Sequence, residues 1–212
     1  MATQKKSAVR RTPESELARY LHTLKHKICV SGAAATGHCA PDAFEKAEAL
    51  GREIARHGLV LVTGATTGMP YYAAKGAKEA GGIVIGFSPA ASKLAHVKAY
   101  RLPLEYHDLI VYTGSDYTGR DLQLTRAADA VIAVCGRIGT LHEFSIAFEE
   151  RKPLGILEGS GGTADMIREI IQRADQSAPH VAYSTDPGAL VDAVVGMIEA
   201  DEKRHGLKGR VL

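Results

Sequence analysis

The sequence contains no tryptophan, and only three of its 212 residues are cysteine. Cys29, Cys39 and Cys135 are too few and too scattered for a disulfide scaffold. None forms a C-x-x-C pair, which argues against structural zinc, so reduced cysteines in a cytoplasmic protein are the expectation. Charge of one sign is also lacking. The 26 basic residues face 24 acidic ones, for a net charge of +2. The basic face of a nucleic-acid binder is therefore missing, and nucleic acid is not an expected partner. No apolar run approaches the roughly 18 residues of a spanning helix. The basic stretch Met1 to Arg11 is followed by no apolar segment of the kind a signal peptide needs. Neither a membrane partner nor secretion is expected. The histidines show no metal spacing either: His22 and His26 lie four apart with no third ligand nearby, and no metal ligands are assigned.

What the chain does have is 45% hydrophobic residues and 22 glycines, enough for one α/β domain with its own core. Residues 1–12 read as a flexible arm and 13–212 as a single α/β domain. A helix is expected over Glu14 to Lys25. Strands are expected at Lys27–Ser31, Leu59–Thr63, Ile83–Phe87, Leu109–Tyr112, Ala130–Cys135, Leu154–Leu157 and His180–Ser184. Helices are expected at Pro41–His57, Gly68–Ala80, Thr118–Ala128, Gly139–Arg151, Thr163–Ala174 and Pro187–Lys203. The stretch Ser88 to His107 reads as irregular and too polar for core. The strands are continuously apolar rather than alternating, so helices must cover both faces. The pattern is a doubly wound, mainly parallel α/β sheet. Right-handed crossovers then gather the loops after the strands on one edge, where ligands bind.

Two of those loops carry a glycine pattern. Cys135-Gly-Arg-Ile-Gly-Thr-Leu-His-Glu143 leaves a buried strand and enters a helix near Thr140. Free amides and the helix dipole there suit a phosphate. The spacing of Thr140 and Glu143 also fits a capping box, and spacing alone leaves both readings open. Thr63-Gly-Ala-Thr-Thr-Gly-Met69 follows the second strand and is a second candidate cradle. It lacks the lysine of a P-loop, and Ser31-Gly-Ala-Ala-Ala-Thr-Gly37 lacks the G-x-G-x-x-G of a dinucleotide site. Arg120, beside Asp121 near a helix N-terminus, opposes the dipole and needs either an anionic ligand or an acidic surface partner. Cys135 reads as a small core residue, and His142 as facing either cleft or solvent.

Together these loops resemble the LONELY GUY (LOG) family, long labelled lysine decarboxylase-like. Its hallmark P-G-G-x-G-T-x-x-E aligns with Cys135 to Glu143. Its upstream G-G-x-x-G-L-M aligns with Gly64-Ala-Thr-Thr-Gly-Met69, and Ala128 to Val134 and Gly81 to Gly86 are similar as well. The resemblance spans most of Ile28 to Leu157. It implies a Rossmann-like fold, a homodimer or larger homo-oligomer, and hydrolysis of the N-glycosidic bond of a nucleoside 5′-monophosphate, of AMP or cytokinin type. No cofactor is then required. It further implies Arg120 and Glu143 as the catalytic pair, with Gly32, Gly64, Thr67, Gly68, Met69, Gly136, Arg137, Gly139 and Thr140 binding the phosphorylated ligand. Glu143 would stabilise an oxocarbenium-like transition state and activate water.

The chain departs from the hallmark at Cys135, where the family has proline, and at Arg137, where it has glycine. Thr118-Gly-Arg-Asp121 replaces the H-x-R-K of cytokinin-activating members and looks nearer to a sister group. That group includes molybdenum-cofactor carrier proteins, which bind a phosphorylated pterin without catalysis. The alternative expectation is such a non-catalytic carrier or nucleotide sensor, with the molybdenum cofactor as ligand. A pyridoxal-phosphate decarboxylase is disfavoured because no lysine occupies a convincing loop position.

Overall fold

A computed structural model describes residues 24–204. The arm over residues 1–12 and the helix expected at Glu14 to Lys25 lie essentially outside the described residues. Seven strands form one sheet: β1 (Lys27–Gly32), β2 (Val60–Thr63), β3 (Ile83–Ser88), β4 (Leu109–Tyr112), β5 (Ala130–Val134), β6 (Leu154–Leu157) and β7 (Val181–Ser184). Their spatial order is β4-β3-β2-β1-β5-β6-β7, and every pairing is parallel. Among the described residues, seven α-helices follow the strands in turn: α1 (Ala43–Arg56), α2 (Met69–Glu79), α3 (Lys93–Lys98), α4 (Asp116–Ala127), α5 (Ile138–Glu149), α6 (Ile167–Arg173) and α7 (Pro187–Arg204). A short 3-10 turn at Ala164–Met166 leads into α6.

The two-residue period of the strands divides the core. Ile28, Val30, Leu61, Ile132 and Val134 point to one face, where they meet Leu50 and Ile54 of α1, Met69 and Ala73 of α2, and Leu190 and Val194 of α7. Cys29, Val62, Val131, Ala133 and Ile156 point to the other, against Leu124 of α4, Phe144 and Ala147 of α5, and Ile167 of α6. Burial on both faces explains why β2, β5 and β6 read as unbroken apolar runs.

Two local expectations are corrected. The stretch Ser88 to His107 is not wholly irregular: Ala95 N donates to Ser92 Oγ at 3.2 Å, capping α3. Its His96 is fully buried, with Nδ1 2.8 Å from Ser88 Oγ and Nε2 2.9 Å from the Pro103 carbonyl. Both ring nitrogens are satisfied inside, so a polar stretch here supplies core. The second correction concerns the capping box. Helix α5 begins at Ile138, and its N-cap Arg137 makes no side-chain cap. Thr140 and Glu143 already lie within the helix, too far along to cap its first turn.

Candidate functional site

The crossovers from β1 run through β2 and β3 to β4, and those from β5 run the other way through β6 to β7. The sheet therefore reverses direction between β1 and β5, and a crevice opens beyond their C-terminal ends. Gly32 pairs with Val134 at that end. A Cβ on Gly32 would stand 2.6 Å from Met69 Cβ and 2.7 Å from the Val134 carbonyl oxygen, so only glycine lets the strands and α2 close up here. The crevice is a cavity of about 360 Å³. That volume is within the range of small-molecule sites.

Of the residues singled out in the sequence, Gly32, Gly64, Arg120, Arg137, Gly139, Thr140 and Glu143 line this cavity. Thr67, Gly68, Met69 and Gly136 are not among its lining residues. Met69 is fully buried in the core. Thr67 Oγ1 donates to the Ala34 carbonyl at 3.3 Å. Gly68, at φ +72°, is held against the Ala33 carbonyl, and Gly136, at φ +104°, against Thr140 and Thr163. These four support the walls from behind.

The floor is a buried charge cluster. Glu143, one face of α5, reaches toward β1, where one carboxylate oxygen accepts a hydrogen bond from Ser31 Oγ. Its other oxygen lies 3.6 Å from Arg120 Nη1. Arg120 sits in the second turn of α4 and is only 6% exposed, which overturns the surface-arginine alternative. Its Nε lies 3.4 Å from Asp121 Oδ1, yet makes no hydrogen bond among the described residues. The guanidinium rests on Gly64, where any Cβ would occupy the position of Nη1. His142 Nδ1 stands 3.0 Å from Asp121 Oδ2, so His142 completes the chain of polar contacts. Burial pushes the Glu143 carboxyl up to about 7. Arg120 pulls it down, Asp121 pushes it up, and the Ser31 hydrogen bond pulls it down.

Above the floor, the entrance belongs to the turn into α5. Its N-cap Arg137 makes no side-chain cap, and its first turn holds no acidic residue. Its leading amides lie where Arg137, Ile138, Gly139 and Thr140 line the cavity. Ala65 and Cys135, just after β2 and β5, hold positive φ values of 50° and 54°. Non-glycine residues in that region mark loops whose shape is imposed by their surroundings.

Sequence reasoning passed over Ser31, Thr66 and Tyr117 as lining residues. Ser31 carried a signal: it is a polar residue near the end of an otherwise apolar strand, on the parity that faces α5. The expectation of reduced cysteines is also corrected. Cys39 and Cys135, 96 residues apart, form a disulfide. The pairing was invisible in the spacing because the loop after β1 and the end of β5 meet only through the sheet order. Cys135 is fully buried as expected, but it is bonded rather than merely packed.

The fold is Rossmann-like, with a cleft at the switch point of its parallel sheet. The chain belongs to the SLOG cluster4 family, whose model matches residues 25–191. An uncharacterized protein of Archaeoglobus fulgidus is 30% identical over 132 residues, covering 62% of this chain and 82% of that one. The molybdenum cofactor binding protein of Rippkaea orientalis is similar in structure, with a TM-score of 0.66 and 28% identity over 84% of this chain and 98% of that one. The molybdenum cofactor carrier protein of Chlamydomonas reinhardtii has a TM-score of 0.65 and 29% identity over 83% of this chain and 99% of that one. Among the described residues no helix is long and apolar enough to cross a membrane.

Proposed function

We propose that this protein holds a phosphorylated small molecule in the switch-point cleft without cleaving it, and that the ligand is a phosphorylated pterin of the molybdenum-cofactor class. The observation that carries this reading is the likeness to the two molybdenum-cofactor proteins over more than four-fifths of the chain. The geometry agrees with it. The amides at the start of α5, which the Arg137 side chain does not cap, suit the phosphate, and Arg137 beside them adds a cation in place of the family's glycine. Both oxygens of Glu143 are already engaged, by Ser31 and Arg120, so this carboxyl holds the floor rigid.

The test is retention of molybdenum. The purified protein, mixed with molybdenum cofactor under anaerobic conditions and passed through gel filtration, carries about one molybdenum per chain, and Arg137→Glu weakens retention tenfold or more. A wild-type protein that elutes free of molybdenum sinks the reading.

One observation favours a second reading, hydrolysis of a nucleoside 5′-monophosphate. A buried carboxyl that titrates near neutrality beside an arginine suits general acid–base work on a glycosidic bond. Release of adenine from AMP, lost in Glu143→Gln, would support it.

A further inference from the structure

Outside the lining of the cleft, three donor groups meet that neither reading uses. They are His38 and Cys39 of the loop after β1, and Cys135 at the end of β5. One donor atom from each lies within 4.8 Å of the other two. The two sulfurs form a disulfide, and His38 Nε2 stands 3.6 Å from Cys135 Sγ. Two donors on one tetrahedral zinc ion, at ordinary Zn–S and Zn–N lengths, are about 3.5 Å apart. The histidine therefore already stands at the spacing that a shared ion requires.

We propose that the reduced form of this pair, together with His38, binds one thiophilic divalent cation such as Zn²⁺. The donor set is two thiolates and one imidazole. That set selects soft and borderline cations over magnesium or calcium. His38 is exposed and Cys39 half-buried, so the ion has an entry path and a fourth position open to water or a ligand. The disulfide is the metal-free, oxidised state of the same site. A small dithiol converts one to the other: it closes to its own cyclic disulfide and passes two electrons and two protons to the protein, leaving two thiols. Binding the cation then releases both thiol protons to solvent.

The site is coupled to the cleft through one atom. His38 Nε2 lies 2.9 Å from the carbonyl oxygen of Gly136. Coordination through Nε2 takes the nitrogen's lone pair and removes the proton it donates to that carbonyl. Gly136 opens the loop into α5, so the metal state bears on the loop that faces the ligand. This proposal does not depend on the identity of the cleft's ligand.

Cobalt reports the site directly. The full-length protein is reduced with a dithiol, freed of it anaerobically, and titrated with Co²⁺. The expected result is saturation at one equivalent, with thiolate-to-cobalt charge-transfer bands and tetrahedral d–d bands that Zn²⁺ then bleaches. The bands are absent from oxidised protein and from Cys39→Ser, and His38→Ala weakens binding tenfold or more. Circular dichroism of each variant shows whether it is folded. Reduced wild-type protein without such bands at excess Co²⁺ overturns the proposal. So do bands that survive unchanged in folded Cys39→Ser, since the ion would then sit elsewhere.

Discussion

The two glycine loops share a sequence signature and differ in what their glycines do. After β2, Gly64 and Gly68 are both filled spaces. Gly64 seats the Arg120 guanidinium, and Gly68 lies against the carbonyls of Ala33 and Ala34 with φ at +72°. After β5 the pair is split. Gly136 is packed against Thr140 and Thr163, whereas a Cβ on Gly139 would meet nothing within 4 Å. Both glycines of the first loop are taken up by packing, although Gly64 and Thr66 also line the cavity, and the second loop keeps one glycine open toward it. A glycine pair after a strand therefore does not by itself mark a ligand cradle. What marks it is the space left over once the fold has closed.

Substitution breaks or sharpens that contrast. The largest effect is expected for Gly68→Ala, which puts a methyl against backbone carbonyls at a left-handed φ. It should destabilise the protein by about 4 kcal/mol in urea unfolding, from strain and overpacking together. A loss below about 1 kcal/mol would show that the β2 loop gives way easily.

The buried carboxyl joining the loops comes next. Glu143 is raised from its ordinary value of 4.5 to about 7, chiefly by burial. Between those values the folded state holds a proton that the unfolded state has lost. Stability then falls as pH rises from about 4.5 toward 7, by up to roughly 3 kcal/mol. Glu143→Gln should flatten that slope in unfolding curves measured across the window. An unchanged slope in the variant would place the titrating group elsewhere.

Gly64→Ala should cost less stability, about 2 kcal/mol, because a guanidinium can move where a backbone cannot. It displaces Arg120 from Glu143, so ligand binding should fall at least tenfold. Gly139→Ala is the smallest and has the opposite sign. In the first turn of α5 it should stabilise by about 0.5 kcal/mol while weakening ligand binding, because its methyl enters the cavity mouth. Unaltered affinity would mean the ligand stays clear of this turn.

Much of this was legible in the sequence. The apolar runs at Ala130–Val134 and Leu154–Leu157 sit in the middle of the sheet and mark their strands almost to the residue. Arg120 and Glu143 come from different helices, yet the structure brings them within 3.6 Å on the floor of one cleft. Other features depend on three-dimensional neighbours. The T-x-x-E of Thr140 and Glu143 looks like a cap only if the helix begins at Thr140. It begins two residues earlier, and the glutamate turns toward Ser31 instead. The buried His96 was missed because its partners, Ser88 and Pro103, satisfy a polar ring that composition assigns to solvent. The Cys39–Cys135 bond follows from the adjacency of β1 and β5, which no spacing rule supplies.

Under the proposed function, the cleft retains a phosphorylated ligand and leaves it whole. The most direct measurement mixes the protein with equimolar molybdenum cofactor and AMP, isolates the protein on a desalting column, and analyses both fractions by HPLC and for metal. The expected result is about one molybdenum per chain with the protein and AMP recovered intact. Free adenine formed by the wild type and not by Glu143→Gln, with no molybdenum retained, would contradict it.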